Sequence, residues 1–261
     1  MTNTISLSNN LTIGGDDILL MAGPCSVESF DQTYAVAKSM RAQGLRVLRG
    51  GAFKPRTSPD AFQGLGLDGL KILRQVADEF GMLVISEALG VEQLPMVVEY
   101  SDIIQIGSRN MQHFPLLWAA GEQPKPILLK RGFMSTIAEW LAAADHIESR
   151  GNGQIILCER GIRSFDSSTR NVLDVSAIAQ IKTSTQFPII ADPSHATGRA
   201  DLVPAASRAA LAAGADGLLV EVHPDPAAAL SDGEQSLPLE TLPAYVEDMR
   251  RIASAMGRKL I

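Results

Sequence analysis

Only two cysteines, Cys25 and Cys158, occur in 261 residues; a disulfide framework is excluded, although a single bridge stays arithmetically open. No apolar run approaches the roughly 20 residues a helix needs to cross a bilayer, and residues 1–10 lack the basic-then-apolar layout of a secretory leader. Basic charge is in deficit: 23 Lys and Arg stand against 29 Asp and Glu, a net charge of −6. That argues against a nucleic-acid binder, whose affinity rests on a basic surface. Glycine and proline, at 22 and 14, are near average use, so collagen-like and low-complexity readings fall away. No linker or shift in composition marks a second domain. What remains is a chain 46% hydrophobic and 20% charged, long enough to bury a full core and expected to be soluble and cytoplasmic.

Eight apolar, β-branched runs stop at polar or glycine clusters, at 18–22, 45–48, 82–85, 102–106, 126–129, 154–157, 188–191 and 217–220. Nearly every gap carries a helical pattern, as at 33–42, 68–80, 136–149 and 201–213, the last stopped by Gly214; a final helix is expected over about 239–255. Continuous apolar runs are what parallel strands buried on both faces look like. Eight alternating units in this length predict an α/β fold, a (β/α)8 TIM barrel, with an open doubly wound sheet as the competing architecture. The gap from 106 to 126 is the weakest, with only a short helix over 110–120 that Pro115 interrupts. Ahead of the first strand, Ile-Ser-Leu at 5–7 and Leu-Thr-Ile at 11–13 flank Asn9 and Asn10, a short β-hairpin placed to plug the bottom of a barrel. The expected organisation is a hairpin extension over 1–17 and a catalytic barrel over 18–261.

In such barrels chemistry collects at the C-terminal strand ends. After the eight runs come Cys25; Arg49 with Lys54 and Arg56; Glu87; Gln105 with Arg109; Lys130; Glu159 with Arg160; Asp192 with His195; and Glu221 with His223. Loops are polar anyway, which accounts for any one of these residues but poorly for all of them. Arg49, Lys54, Arg56, Arg109, Lys130 and Arg160 would point into one mouth of an acidic protein, and that mouth suits a ligand, or a ligand pair, with more than one anionic group. Arg131 and Arg163 read as solvated surface charges as readily as mouth residues. Cys25, His195, Glu221 and Asp232 offer a thiol, an imidazole and two carboxylates, a mixture that first-row divalent ions accept. No short spacing ties these four together, and a cysteine in a Gly-Pro turn or a histidine in a Pro-Ser-His turn also reads as inert structure. Lys130, with Arg131 beside it as a like charge, fits a Schiff-base nucleophile and fits a phosphate ligand equally well.

Seven segments, in this order, carry a family resemblance: Gly-Pro-Cys-Ser-Val-Glu-Ser at 23–29, Arg-Gly-Gly-Ala-Phe-Lys-Pro-Arg-Thr-Ser-Pro at 49–59, Gln-Ile-Gly-Ser-Arg-Asn at 105–110, Leu-Lys-Arg-Gly at 129–132, Cys-Glu-Arg-Gly-Ile-Arg at 158–163, Asp-Pro-Ser-His-Ala-Thr-Gly at 192–198, and Glu-Val-His-Pro-Asp-Pro with Ser-Asp-Gly within 221–233. Over about residues 15–235 the chain resembles the 3-deoxy-D-arabino-heptulosonate 7-phosphate (DAHP) synthases, more narrowly their compact type I beta group, which is close to the 3-deoxy-manno-octulosonate 8-phosphate synthases. The Lys-Pro-Arg-Thr-Ser segment is the most telling, because the octulosonate enzymes carry an Asn-containing loop there.

The resemblance implies a (β/α)8 barrel that condenses phosphoenolpyruvate with erythrose 4-phosphate and releases phosphate, the entry step of aromatic amino acid synthesis. It implies a divalent metal (Mn, Fe, Co or Zn) on Cys25, His195, Glu221 and Asp232. Phosphoenolpyruvate is expected on Arg49, Lys54, Arg109, Lys130 and Arg160, with Gln105, Gly107 and Ser108 lining the substrate site, and the aldose phosphate group on Arg56 and Thr57. Lys54, Glu87, Lys130 and His195 are the residues expected to take part in the chemistry. The alternatives are the octulosonate reaction on arabinose 5-phosphate, a class I aldolase using Lys130, and a catalytically silent phosphate-ligand sensor. A homo-oligomer, dimer or tetramer, is expected, with neither nucleic acid nor membrane as partner. Eight units and a hairpin use up the 261 residues, so no regulatory domain, dedicated aromatic amino acid site or appended chorismate mutase is expected, and control would come from a partner in trans.

Overall fold

The computed structural model describes residues 3–55, 58 and 60–261. It opens with an antiparallel hairpin of β1 (Ile5–Leu7) and β2 (Leu11–Ile13), turned by Asn9 and Asn10, which both hold the left-handed conformation that asparagine tolerates. Eight parallel strands follow: β3 (Asp17–Gly23), β4 (Val47–Arg49), β5 (Leu83–Ala88), β6 (Ile103–Ile106), β7 (Ile127–Lys130), β8 (Ile155–Glu159), β9 (Ile189–Ala191) and β10 (Gly217–His223). Each pairs with the next, and β10 pairs with β3 from Gly217 opposite Leu19 to Glu221 opposite Gly23, which closes the barrel and excludes an open sheet. Two short strands, β11 (Leu237–Pro238) and β12 (Lys259–Leu260), add to β10 and β3.

The intervening helices are α1 (Phe30–Ala42), α2 (Leu67–Phe80), α3 (Leu94–Tyr100), α4 (Phe114–Gly121), α5 (Ile137–Glu148), α6 (Val175–Ser184), the one-turn α7 (Pro193–Thr197), α8 (Val203–Ala212) and the closing α9 (Leu242–Ala255). Local chemistry sets their starts. Ser29 and Asp174 accept first-turn N–H groups, and Thr136 and Glu139 form a reciprocal capping box. Pro115 does not interrupt α4 as expected. It sits in the first turn, where the missing N–H has no intrahelical partner to lose, so it begins the helix.

Strand alternation divides the interior into two apolar layers. Ile18, Leu20, Val84, Ile104, Leu129, Leu157 and Val220 face outward onto the helices, while Leu19, Met21, Val47, Leu83, Ile103, Leu128, Ile156, Ile190 and Leu219 fill the barrel. The hairpin residues Ile5, Leu7, Leu11 and Ile13 belong to this inner cluster. Arg46, just ahead of β4, donates to the Asn9 carbonyl, and Asn3 N–H donates to the Gln186 carbonyl ahead of β9. The hairpin therefore plugs the N-terminal end of the barrel, and the other end stays open for chemistry. No helix among the described residues is long and apolar enough to cross a membrane.

Candidate active site

The inward register that packs the barrel floor continues upward into charge. Val47 is followed two residues later by Arg49, Ile85 by Glu87, Ile103 by Gln105, Leu128 by Lys130, Cys158 by Arg160, Ile190 by Asp192 and Leu219 by Glu221. A period-two strand thus delivers apolar side chains to the plug and polar ones to the mouth with no special loop geometry. The outward register explains two departures from expectation. Glu159 is expected among the strand-end charges and Arg131 as a solvated charge or a mouth residue, but both are buried, point away from the barrel axis and bond each other at 3.0 Å, with Asp174 on Arg131 at 2.9 Å. Burial pushes the Glu159 carboxyl up, against the pull of Arg131. Since Arg131 faces the other side of the strand, the like-charge argument for a Lys130 amine nucleophile has no geometric basis. Lys130 instead donates to Asp192 at 2.5 Å, both side chains buried.

Cys25, His195, Glu221 and Asp232, drawn from the β3–α1 turn, α7, β10 and the β10–β11 loop, each offer a donor atom, and these atoms lie within 4.8 Å of one another. The surrounding contacts hold the set ready for a cation. His195 bonds Asp192 through Nδ1 at 2.8 Å, so its Nε2 turns toward Glu221, 3.5 Å away. Burial, outweighing its acidic neighbours, lowers the His195 pKa and keeps the ring neutral. Burial alone would favour protonated carboxyls here, but Arg49 and Lys54 hold Glu221 below its ordinary range, and Arg170 and Lys54 do the same for Asp232. The Cys25 thiol is pushed up to about 12, first by burial and then by Glu221, with Lys54 acting the other way. Two carboxylates, a neutral imidazole and a protonated thiol together fit a divalent first-row ion that displaces one proton.

Lys54 donates from Nζ to the Cys25 carbonyl at 2.9 Å and to Sγ at 3.0 Å. Beside the donor set lies a cavity of about 330 Å³ whose wall includes Lys54, Glu87, Arg109, Lys130, Arg160 and His195. Gly107 and Ser108 also line it, and Gln105 donates to Glu87 at 3.1 Å from below. Arg49 lies deeper, bonded to Glu221 at 2.8 Å and to the carbonyls of Pro24 and Cys25; its Nε is buried with no partner among the described residues. Arg160 stacks on the Phe133 ring at 4.9 Å and Arg163 at 5.0 Å. His223 turns to Glu28 rather than to the cavity. Arg56 and Thr57 lie outside the described residues.

Several contributors escaped the sequence reading. Arg170 lines the cavity and donates to Gln235 at 2.8 Å, and Gln235 in turn donates to Glu221 at 2.6 Å. Both lie in long loops, where no strand register points to them. Asp192 stood among the strand-end charges but not among the expected site residues. It receives Lys130, the His195 N–H and His195 Nδ1, and burial notwithstanding, His195 and Lys130 hold its carboxyl well below the usual range.

Comparison with known proteins gives a consistent result. The model of the DAHP synthetase I family matches residues 3–256. The chain is 53% identical to the phospho-2-dehydro-3-deoxyheptonate aldolase of Thermotoga maritima over 99% of its own length and 76% of that protein's. A crystal structure of a Thermotoga maritima phospho-2-dehydro-3-deoxyheptonate aldolase superposes with a TM-score of 0.97 at 53% identity, covering 100% of this chain and 76% of that one. A 2-dehydro-3-deoxyphosphooctonate aldolase of Desulfatibacillum aliphaticivorans is 35% identical over 98% of this chain and 99% of that protein.

Proposed function

Because the chain belongs to the DAHP synthetase I family, we propose that it condenses phosphoenolpyruvate with erythrose 4-phosphate in a metal-dependent reaction, giving DAHP and phosphate. The observation that carries the reading is the four-donor set within 4.8 Å set directly against a cavity lined by Lys54, Arg109, Lys130 and Arg160. A silent sensor of phosphate ligands would need the cations and not the donors. The octulosonate reaction ranks behind because identity falls from 53% to 35% toward that enzyme.

Both substrates are anions and repel, so the site must first overcome that repulsion and fix the reacting carbons in contact. Arg109, Lys130 and Arg160 supply the charge that holds the phosphate and carboxylate of phosphoenolpyruvate, while Arg49, buried on Glu221, adds positive charge from behind the cavity wall. C3 of the enol then bonds the aldehyde carbon of the aldose phosphate, whose oxygen gains a proton. Lys54, anchored on Cys25, is the ammonium that stands by that oxygen. Positive character left at C2 is relieved by addition of water, which Glu87 orients as a carboxylate acceptor held by Gln105. The C2–O bond to phosphate then breaks as the new C2 hydroxyl loses its proton to become the ketone, and phosphate departs into the arginine cluster, carrying that proton. A divalent ion on Cys25, His195, Glu221 and Asp232, when bound, polarises an oxygen in this cavity.

The test is phosphate release with phosphoenolpyruvate and a panel of aldose phosphates. Erythrose 4-phosphate is expected to give the highest kcat/KM, with activity lost in a chelator and restored by Mn, Fe, Co or Zn. Higher efficiency on arabinose 5-phosphate would replace this reading with the octulosonate one, and full activity in metal-free enzyme would remove the metal from it.

A further inference from the structure

Asp232 and Cys25 reach the donor set from loops 207 residues apart, and the two are held in different ways. Cys25 is fixed by backbone. Gly51 N–H donates to its carbonyl at 3.1 Å, Val27 N–H donates to Gly51 at 3.0 Å, and Ser26 bridges Gly51 in parallel register, so the turn behaves as an extension of the β3–β4 pair. Asp232 has no such ladder. It lies in the β10–β11 loop with φ of +48°, a conformation that non-glycine residues occupy only when their surroundings impose it.

Arg170 lies 3.5 Å from the Asp232 carboxylate and Ser236 donates to its carbonyl at 3.2 Å, and a further set of side chains, with no role in the proposed reaction, ties its loop to the Cys25 turn. Ser231, next to Asp232, meets Ser26, next to Cys25, hydroxyl to hydroxyl at 2.6 Å, and both residues are buried. Glu28 accepts the Leu230 N–H at 2.9 Å and lies 3.4 Å from the Ser26 hydroxyl and 3.4 Å from His223 Nε2. His223 Nδ1 accepts the Asp225 N–H at 3.0 Å, which puts the ring proton on Nε2, facing Glu28. The hydroxyls therefore run as one relay, Ser231 donating to Ser26 and Ser26 to Glu28, ending on an acceptor. We propose that Ser26, Glu28 and Ser231 form a clasp that presets Asp232 against Cys25, acting as positioning residues for a divalent metal. The inference rests on the metal reading given above.

The test titrates cobalt(II) into the metal-free full chain against a competing chromophoric chelator, and follows the thiolate-to-cobalt absorption that reports Cys25 ligation. Ser231→Ala and Glu28→Ala are expected to bind cobalt about 10- to 100-fold more weakly, the range for losing an outer partner of a metal ligand, while the absorption persists at saturation. Glu28→Gln keeps an acceptor for Leu230 N–H but turns an NH2 group onto the His223 Nε2–H, so its affinity should lie between those of the parent and Glu28→Ala. Thermal unfolding in chelator separates misfolding from lost positioning: the metal-free variants, somewhat destabilised by the lost buried hydrogen bonds, should still unfold cooperatively, and the rise on adding cobalt should shrink relative to the parent's. Affinities of both alanine variants within threefold of the parent would overturn the clasp while leaving the metal centre intact. A parent protein that binds no cobalt, indistinguishable from Cys25→Ala, would overturn the metal centre and the clasp together.

Discussion

Asp192→Asn exchanges one oxygen for an NH2 group at the residue that joins Lys130 to His195. Asparagine is as good a helix N-cap as aspartate, so the bond to the His195 N–H and the start of α7 should survive. Two interactions should not. The Lys130 ammonium, 2.5 Å from Asp192 and buried, would lose its counter-charge; breaking a buried pair in this way costs about 3–5 kcal/mol. The new NH2 would also face His195 Nδ1 and favour the tautomer protonated on Nε2, the nitrogen turned toward Glu221, so metal affinity should fall about 10- to 100-fold. Denaturant unfolding of the metal-free protein at neutral pH measures the first effect, and cobalt titration the second. The native Asp192 pKa is depressed, so the pair's stabilisation is fully present above about pH 4, the unfolded value, and is lost as pH falls through the native one. The stability curves of parent and variant should therefore converge in acid. A loss below about 1 kcal/mol, with unchanged cobalt affinity, would refute the assignment of Asp192 as the shared anchor.

Two further outcomes follow from the same geometry. Loading a divalent metal near neutral pH should release one proton, because only the Cys25 thiol, pushed up to about 12 by burial and Glu221, is protonated among the four donors. Apparent affinity should then rise about tenfold per pH unit, and calorimetry in buffers of different ionisation heat would count that proton; a count of zero removes Cys25 from the donor set. Gly107→Ala would bring a Cβ 2.0 Å from Glu87 Oε1, forcing that carboxylate off its Gln105 bond, and kcat should fall about 10²-fold, the scale of an ångström misplacement, with metal affinity unchanged. Parent-like kcat in this variant would remove Glu87 from the reaction.

The barrel was legible in the sequence because its signal is one-dimensional. Eight apolar runs each became a strand, and once the inward positions are known, counting two residues past each leads to Arg49, Glu87, Gln105, Lys130, Arg160, Asp192 and Glu221. The same alternation, followed strictly, would have separated Lys130 from Arg131 and Arg160 from Glu159. Cys25, His195 and Asp232 lie in turns and loops beyond the strands, where donor chemistry suggests them and motif resemblance, not periodicity, ties them together.

Closure of β10 onto β3, burial of the donors within 4.8 Å of one another, and the charges around them belong to tertiary structure alone. So do the contacts made by loops, whose path no period constrains: Gln235 on Glu221, Arg170 on Gln235, and Ser231 on Ser26 across 205 residues. A sequence specifies which face of a strand a side chain takes, because two residues per repeat is a local property of the backbone. Which loop meets which is decided only when the barrel closes, because the hydrogen bonds that settle it join residues 14, 65 and 205 positions apart, at separations no local backbone period sets.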